Sequence, residues 1–153
     1  MASSTPKTII LSDQPTVQAE YKAASVALTP GDLVELASAT TIQLHATQAG
    51  NAQAMFVTEN PFQVTAGVAA IDDPYGTADT VYCLIGKSGD HVYGWLQPGG
   101  SVNAGDFVES AGSLGSLQAY AVGTAEATHS IVAKALEAKT ATTARVRVKV
   151  EVV

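Results

Sequence analysis

The chain of 153 residues has few cysteines and few charges, and both shortages limit the structures and functions to be expected. Its one cysteine, Cys83, excludes an internal disulfide framework and any zinc site built on several cysteines. Charged residues make up 14% of the sequence, whereas about 25% is usual for a globular domain. The net charge of −6 disfavours electrostatic binding of nucleic acid or of an anionic membrane, so we expect neither as a partner.

Long apolar segments are also missing. No run approaches the roughly 18 apolar residues of a membrane-spanning helix, and the opening segment MASSTPKTIILSDQ lacks the apolar core of a secretion signal. We therefore expect synthesis in the cytoplasm of the producing cell. Cys83 lies in the apolar run VYCLIG with no cation beside it, which favours a buried packing residue over a nucleophile.

The sequence does contain many short strand-like runs, separated by turns rich in glycine, proline, asparagine and aspartate. In chain order the runs are LVELA, TIQLHAT, AQAMFVTEN, FQVTAGVAAI (62–71), TVYCLIG, HVYGWL, FVESA and SLQAYAV. Strands at a spacing of roughly 8 to 12 residues are typical of a β-sandwich or barrel. We predict an all-β fold: a compact β-barrel or sandwich of short antiparallel strands, with an extended N-terminal arm and at most one short helix.

The last 25 residues contain the one helix candidate and the clearest strand. AKALEA, within HSIVAKALEAKTA (129–141), consists of good helix formers, although the alternation in SIVAKAL also permits a strand ending in a turn. In ARVRVKVEVV (144–153), valine alternates with charged residues, which predicts a strand with one face on a core. Its basic stripe, Arg145, Arg147 and Lys149, is interpreted as a solvated face rather than a phosphate-binding surface.

Residues 1–27 differ from the rest, since they are mostly polar and interrupted by proline. We predict an N-terminal arm over 1–27 and a β-barrel domain over 28–153. Within the arm, the segment TIIL (Thr8, Ile9, Ile10 and Leu11) has the β-branched composition of a strand that pairs with the sheet edge of another chain.

Two stretches share a motif: TPGDLVEL (29–36) and NAGDFVES (103–110) both place Gly-Asp before a short strand. Glycine permits the backbone angles of a tight turn, and aspartate can accept a hydrogen bond from the turn itself. We interpret the repeat as scaffolding, two similar hairpins in one barrel. The same motif places Glu35 and Glu109 one residue after an inward valine, so both are predicted to point outward into solvent.

Few residues are placed for catalysis or metal binding. GKS (86–88) lacks the preceding glycine of a phosphate-binding loop, because position 81 is valine. His45, His91 and His129 lack metal-ligand spacing and are predicted to be polar or exposed. Asp90 and His91 could join a distant serine in a hydrolytic triad, but no nucleophile motif accompanies them. We therefore predict a non-enzyme without metal or cofactor. Hydrolysis by Asp90, His91 and a serine is kept as the least favoured hypothesis.

One aromatic cluster is the basis of an alternative hypothesis, carbohydrate binding. Tyr82, Tyr93 and Trp95 fall on two strand-like runs that follow one another along the chain. Aromatic side chains at such positions are ordinarily packing residues. If they were exposed together, they would form a stacking platform for carbohydrate.

The order of the turns and strands from residue 28 onward resembles that of the head decoration, or capsid cement, proteins of tailed bacteriophages. The matching segments are PGDLVEL, QLHATQAGNAQAMFVTENP, DDPYG, DTVYC, HVYGWLQPGGSVNAGDFVESAGSLGSLQAY and HSIVAKALEAKTATTARVRVKVEVV. The resemblance lies in this succession and not in a single motif.

The resemblance implies a structural virion protein that binds the outer surface of the mature head and stabilises it by bridging major capsid protein subunits. It implies a homo-oligomer, with a trimer favoured over a dimer, and an N-terminal arm that reaches over the capsid through Thr8–Leu11. The alternative is a β-barrel surface module of another class, carbohydrate-binding or head-fibre-like.

Overall fold

The structure, a computed structural model, describes residues 7–12, 15–24, 26–62, 65–121 and 130–153. In chain order the strands are β1 (Val17–Ala23), β2 (Val34–Leu36), β3 (Thr41–Leu44), β4 (Met55–Val57), β5 (Thr80–Ile85), β6 (His91–Leu96), β7 (Ser101–Val102), β8 (Phe107–Ser110), β9 (Leu117–Ala119), β10 (Ile131–Ala135), β11 (Lys139–Thr140) and β12 (Val146–Val152). The helical content of the described residues is one 3₁₀ turn, Ala70–Asp72. The prediction of an all-β fold is confirmed. The described part of the chain contains no helix long and apolar enough to cross a membrane.

The strands form two main bodies and one small hairpin-like sheet. Five strands close into a barrel in the order β10-β12-β6-β9-β8, and β10 pairs with β8 to complete it. Five others form an open sheet in the order β2-β3-β1-β5-β4. Strands β7 and β11 pair with each other. Most pairs are antiparallel, as predicted, while β1–β3 and β6–β9 are parallel.

The barrel core is built by alternation along β6 and β12. Val148, Val150 and Val152 are buried, as the period-2 pattern of the last strand predicts. On β6 the inward position between Val92 and Leu96 is Gly94, where a Cβ atom would lie 2.8 Å from Leu117 Cδ1. A larger residue at this position would therefore require the side chain of Leu117 to shift.

The open sheet has its own core on one face. Val34, Ile42, Met55 and Val81 pack there with Cys83, which is fully buried as predicted. The segment around Leu28 covers this core, held by reciprocal backbone bonds between Leu28 and Tyr75 at 3.1 and 2.7 Å. The two cores are therefore separate, and Phe56 and Leu84 of the open sheet belong to the barrel side.

The predicted boundary between an arm and a domain at residue 27 needs correction. Residues 17–23 form β1, which lies inside the open sheet, antiparallel to β5 from Val17 to Lys22 and parallel to β3 at its end. The sequence of β1 is polar because only Ala23 is buried, whereas Gln18, Glu20 and Lys22 face solvent. This polarity is why the segment was predicted to be part of an arm. A strand with one polar face has the composition of a solvated tail.

Two predictions of local structure also change. FQVTAGVAAI was predicted as a strand, but its described residues form turns and the 3₁₀ turn, and Asp73 accepts hydrogen bonds from Thr65 N and Oγ1 at 2.6 and 2.7 Å. In 129–141 the strand interpretation is correct over β10, and the helix is absent from the described residues 130–141. Barrel closure by β10 outweighs the helix propensity of AKALEA.

Candidate functional site

The Gly-Asp motif forms a repeated turn. Asp32, Asp90 and Asp106 each accept a hydrogen bond from the amide three residues earlier, at 2.7, 2.9 and 2.8 Å. The preceding glycines have φ of +95°, +91° and +96°, angles that favour glycine. The interpretation as scaffolding is supported. KSGD (87–90) is a third copy of the turn, which the sequence motif does not reveal because no Val-Glu follows it.

The segment TIIL pairs with strand β6 of its own chain. Ile9 is fully buried in the barrel core, and Tyr93 N donates to Ile9 O at 2.9 Å. Ile10 forms an antiparallel bridge to Val92, and Leu11 N donates to His91 O at 2.9 Å. Ile9 is therefore corrected from a partner contact to a core residue. Contact with a capsid through Thr8, Ile10 and Leu11 remains a prediction.

Two members of the basic stripe, Arg145 and Arg147, are covered rather than solvated. The guanidinium carbons of Arg145 and Arg147 lie 4.5 and 4.1 Å from the centre of the Trp95 ring. Arg145 pairs with Asp32 at 2.5 Å, and Arg147 pairs with Asp72 at 2.6 Å. Since both acids belong to segments outside the barrel, the stripe fastens those segments to the barrel wall. Its arginines are thereby engaged within the protein, which is not how a phosphate-binding surface is built.

The carboxyl group of Asp32 has a raised pKa in this contact. Burial raises the pKa of Asp32 to about 6, although Arg145 and the amide of Thr29 favour the charged form. Trp95 completes the junction by donating from Nε1 to Pro30 O at 3.0 Å. These contacts stabilise the fold, and the ring faces of Trp95 are occupied by its own arginines.

The structure brings a serine, a histidine and a carboxylate together in an unexpected place. His45 Nδ1 lies 2.7 Å from Ser110 Oγ, and His45 Nε2 lies 3.2 Å from Asn51 O and 3.6 Å from Glu35 Oε2. His45 was predicted to be polar and outward, but it is 2% exposed and Ser110 is fully buried. Because Ser110 and His45 are both buried, the trio connects the loop after β3 to β8 inside the fold.

Other catalytic candidates are dispersed. The side chain of Asp90 accepts from Lys87 N, in the turn, rather than orienting His91. Glu109, predicted to be solvated, is fully buried and accepts from Gln118 Nε2 at 2.8 Å. Burial raises the pKa of the Cys83 thiol to about 12, which keeps it a packing group. Within the described residues no three potential ligands gather into a metal site, and His129 lies outside them.

The aromatic residues do not form the single platform considered from the sequence. Tyr82 is on β5 of the open sheet, while Tyr93 and Trp95 are on β6 of the barrel. Tyr82 instead neighbours Phe62, with ring centres 6.0 Å apart and planes tilted by 51°. Phe62 could not be identified from the sequence, because it was assigned to a strand that does not form.

Comparison with known proteins shows a likeness in structure but none in sequence. No family model matches the chain, and no curated protein matches it in sequence. Among solved structures, the chain is similar to the N base of the head fiber gp8.5 of bacteriophage phi29, with a TM-score of 0.52 and 10% identity. The match covers 90% of this chain and 95% of that chain, so the likeness extends to both bodies of the fold.

Proposed function

We propose that this protein is a structural component of a bacteriophage virion that binds the outer surface of the mature head. There it stabilises the capsid by bridging major capsid protein subunits, and it acts by adhesion without catalysis. The observation that carries the proposal is the fold shared with a phage head-fiber base over 90% of the chain. The succession of turns and strands that resembles head decoration proteins supports it independently.

The internal contacts suit a protein that must keep its shape under load. Salt bridges from β12 fasten the segments before β2 and before β5 to the barrel, and Ile9 anchors the beginning of the chain in the barrel core. A rigid body loses little conformational entropy when it binds. An oligomer, for which we favour a trimer, would contact several capsid subunits at once and gain affinity through multivalency. Preference for the mature lattice then stabilises that lattice.

A head-fibre base is the second candidate, favoured by the same structural likeness. Both candidates bind the head exterior, but they differ in consequence. A decoration protein that bridges capsid subunits is expected to increase the resistance of the capsid to heat and chelators. A fibre base that binds without bridging subunits is not expected to do so.

The direct test adds purified protein to expanded phage heads that lack it, followed by sedimentation and quantification of bound copies. We expect saturable binding at a fixed ratio to the major capsid protein, and a higher temperature of DNA release. Saturable binding with an unchanged release temperature would support the fibre base. Failure to co-sediment would contradict both candidates.

A surface variant tests whether the N-terminal segment contributes to that contact. Thr8 is exposed, so Thr8→Arg adds bulk and charge without entering the core. We expect weaker head binding for Thr8→Arg and unchanged binding for the matched exposed control Thr143→Arg. Equal binding by the two variants would show that the contact lies elsewhere.

A further inference from the structure

Phe62 is 83% exposed, more than any other large apolar residue that the structure describes. A ring left in water costs the free energy that its burial would contribute, so such exposure often marks a binding site. Tyr82 neighbours it at 6.0 Å between ring centres and is half-buried in β5. Together the two rings present aromatic surface on the outside of the open sheet.

The rings line a depression with polar walls. It encloses about 380 Å³ and is bordered by Asn60, Asp79 and Thr80 in addition to Phe62 and Tyr82. That volume falls within the range of small-molecule sites, which is roughly 300 to 1,000 Å³. Its combination of aromatic rings with an amide, a carboxylate and a hydroxyl suits a ligand that is apolar on its faces and rich in hydroxyls at its edge.

The walls are held in place before any ligand arrives. Asn60 Oδ1 accepts from Phe62 N at 2.9 Å, which closes the turn around Pro61. Asp79 Oδ2 accepts from Gly76 N at 2.7 Å, and a carboxylate has further acceptor capacity beyond one such bond. Tyr82 O accepts from both Thr58 N and Thr58 Oγ1. A preformed site loses less entropy on binding than one that must be ordered.

A second depression continues from the first across Thr80. It encloses about 310 Å³ and is lined by Glu20, Lys22 and Thr40 among others. Lys22 Nζ donates to Thr80 Oγ1 at 3.2 Å. Among the described residues that line the two depressions, Lys22 is the one cation, and it stands against two carboxylates, Glu20 and Asp79. The charge balance disfavours an anionic ligand. Because the two depressions share Thr80 as a lining residue, they offer room for a chain of several units.

We propose that this double depression binds a neutral oligosaccharide. One pyranose ring places its C–H face against Phe62 and Tyr82, with its hydroxyls within reach of Asn60 and Asp79, and the next sugar lies over Thr80 toward Lys22. The site is distinct from the Tyr93 and Trp95 positions, and it does not depend on the protein being bound to a phage head.

The test is a titration of the ¹⁵N-labelled full chain with three neutral probes, maltotetraose, cellotetraose and chitotetraose, and one anionic probe, tetragalacturonate. We expect saturable shifts of the Thr80 and Tyr82 amides with at least one neutral probe and weaker binding of the anionic one. Phe62→Ala should reduce the affinity about tenfold or more. Because Phe62 is exposed, this variant should keep the folded spectrum.

Two controls make the result specific. Phe107→Ala removes another exposed phenylalanine, on β8 of the barrel, and should leave the affinity unchanged. Tyr82→Phe keeps the stacking ring in the sheet and should therefore retain binding. The proposal is overturned if no neutral probe shifts these amides, or if Phe62→Ala binds as well as the native chain. It is equally overturned if Phe62→Ala loses head binding and no probe binds, since the surface would then be a capsid contact.

Discussion

Asp32 connects three parts of the molecule through one carboxylate. It accepts the Thr29 amide in its own turn and pairs with Arg145 at the start of the last strand, and it is 2% exposed. Arg145 in turn lies against Trp95, so the charge of Asp32 is held between a turn and the barrel wall. A buried pair of this kind is sensitive to loss of either partner.

The pH dependence of stability should report on this carboxyl. Burial raises the pKa of Asp32 from 3.8 to about 6, so the folded protein binds this proton more tightly than the unfolded chain does. The resulting stabilisation is complete below the unfolded value and is lost as the pH rises through 6. Between those limits, the free energy of unfolding of the native chain should fall by up to about 3 kcal/mol relative to that of Asp32→Asn.

Urea unfolding at a series of pH values measures this difference. Asparagine can still accept the Thr29 amide, so the variant removes the titration while keeping the turn. Parallel pH profiles for the two proteins would show that Asp32 titrates at its ordinary value.

The recurring element is the Gly-Asp turn, which precedes β2, β6 and β8. Each copy combines a glycine at positive φ with an aspartate that accepts a backbone amide, and each starts a strand. The copy before β8 is the most accessible to study, because Asp106 is only partly buried and lacks the arginine partner of Asp32.

Removal of the acceptor from this turn should lower stability. Asp106 Oδ2 accepts from Asn103 N at 2.8 Å, so Asp106→Ala should reduce the free energy of unfolding by about 1 kcal/mol. Asp106→Asn retains an acceptor and should remain close to the native value. Denaturant midpoints of the three proteins distinguish these outcomes, and equal losses in the two variants would mean that charge, not the hydrogen bond, is what the turn needs.

Sequence patterns predicted strands well where buried and exposed residues alternate along the chain, and poorly where burial is uneven. HVYGWL matches β6 residue for residue, and the alternating valines of ARVRVKVEVV identify β12. FQVTAGVAAI was assigned as a strand on composition, although the side chain of Asp73 closes the segment into turns. Alternation also says which face points outward but not what covers it, and therefore the burial of Arg147, His45 and Glu109 could not be foreseen.

At the scale of the molecule, the early part of the chain is structural. Strand β1 lies between β3 and β5 in the open sheet, and Ile9 is buried in the barrel core, so the early part of the chain contributes to both bodies through residues 17–23 and through Ile9. The sequence could not show this, because pairing partners more than fifty residues away leave no local signature in a polar strand. The candidate saccharide site depends on the same architecture, since Glu20 and Lys22 of β1 adjoin Thr80 of β5.

Truncation separates an arm from a structural strand. Deletion of residues 1–27 removes β1 and exposes the edges of β3 and β5, so we expect loss of the cooperative thermal transition and of a dispersed amide spectrum. Deletion of residues 1–6 keeps Ile9 and β1 and should preserve both. A folded 28–153 fragment would show that the barrel and the remaining strands suffice.

An early segment and the last strand pair with Val92 of β6 from opposite sides. Ile10 forms a bridge to Val92 on one side, and Val150 pairs with it on the other. Both flanking segments run antiparallel to β6, so the early segment approaches from the Leu96 end and β12 departs at the His91 end. We therefore expect a pull between Ile10 and Val150 to act on the two flanking segments in opposite directions along β6, so that the hydrogen bonds on each side share the load. Strand β6 is thus the central strand of this arrangement, and we expect it to be loaded in shear from both sides.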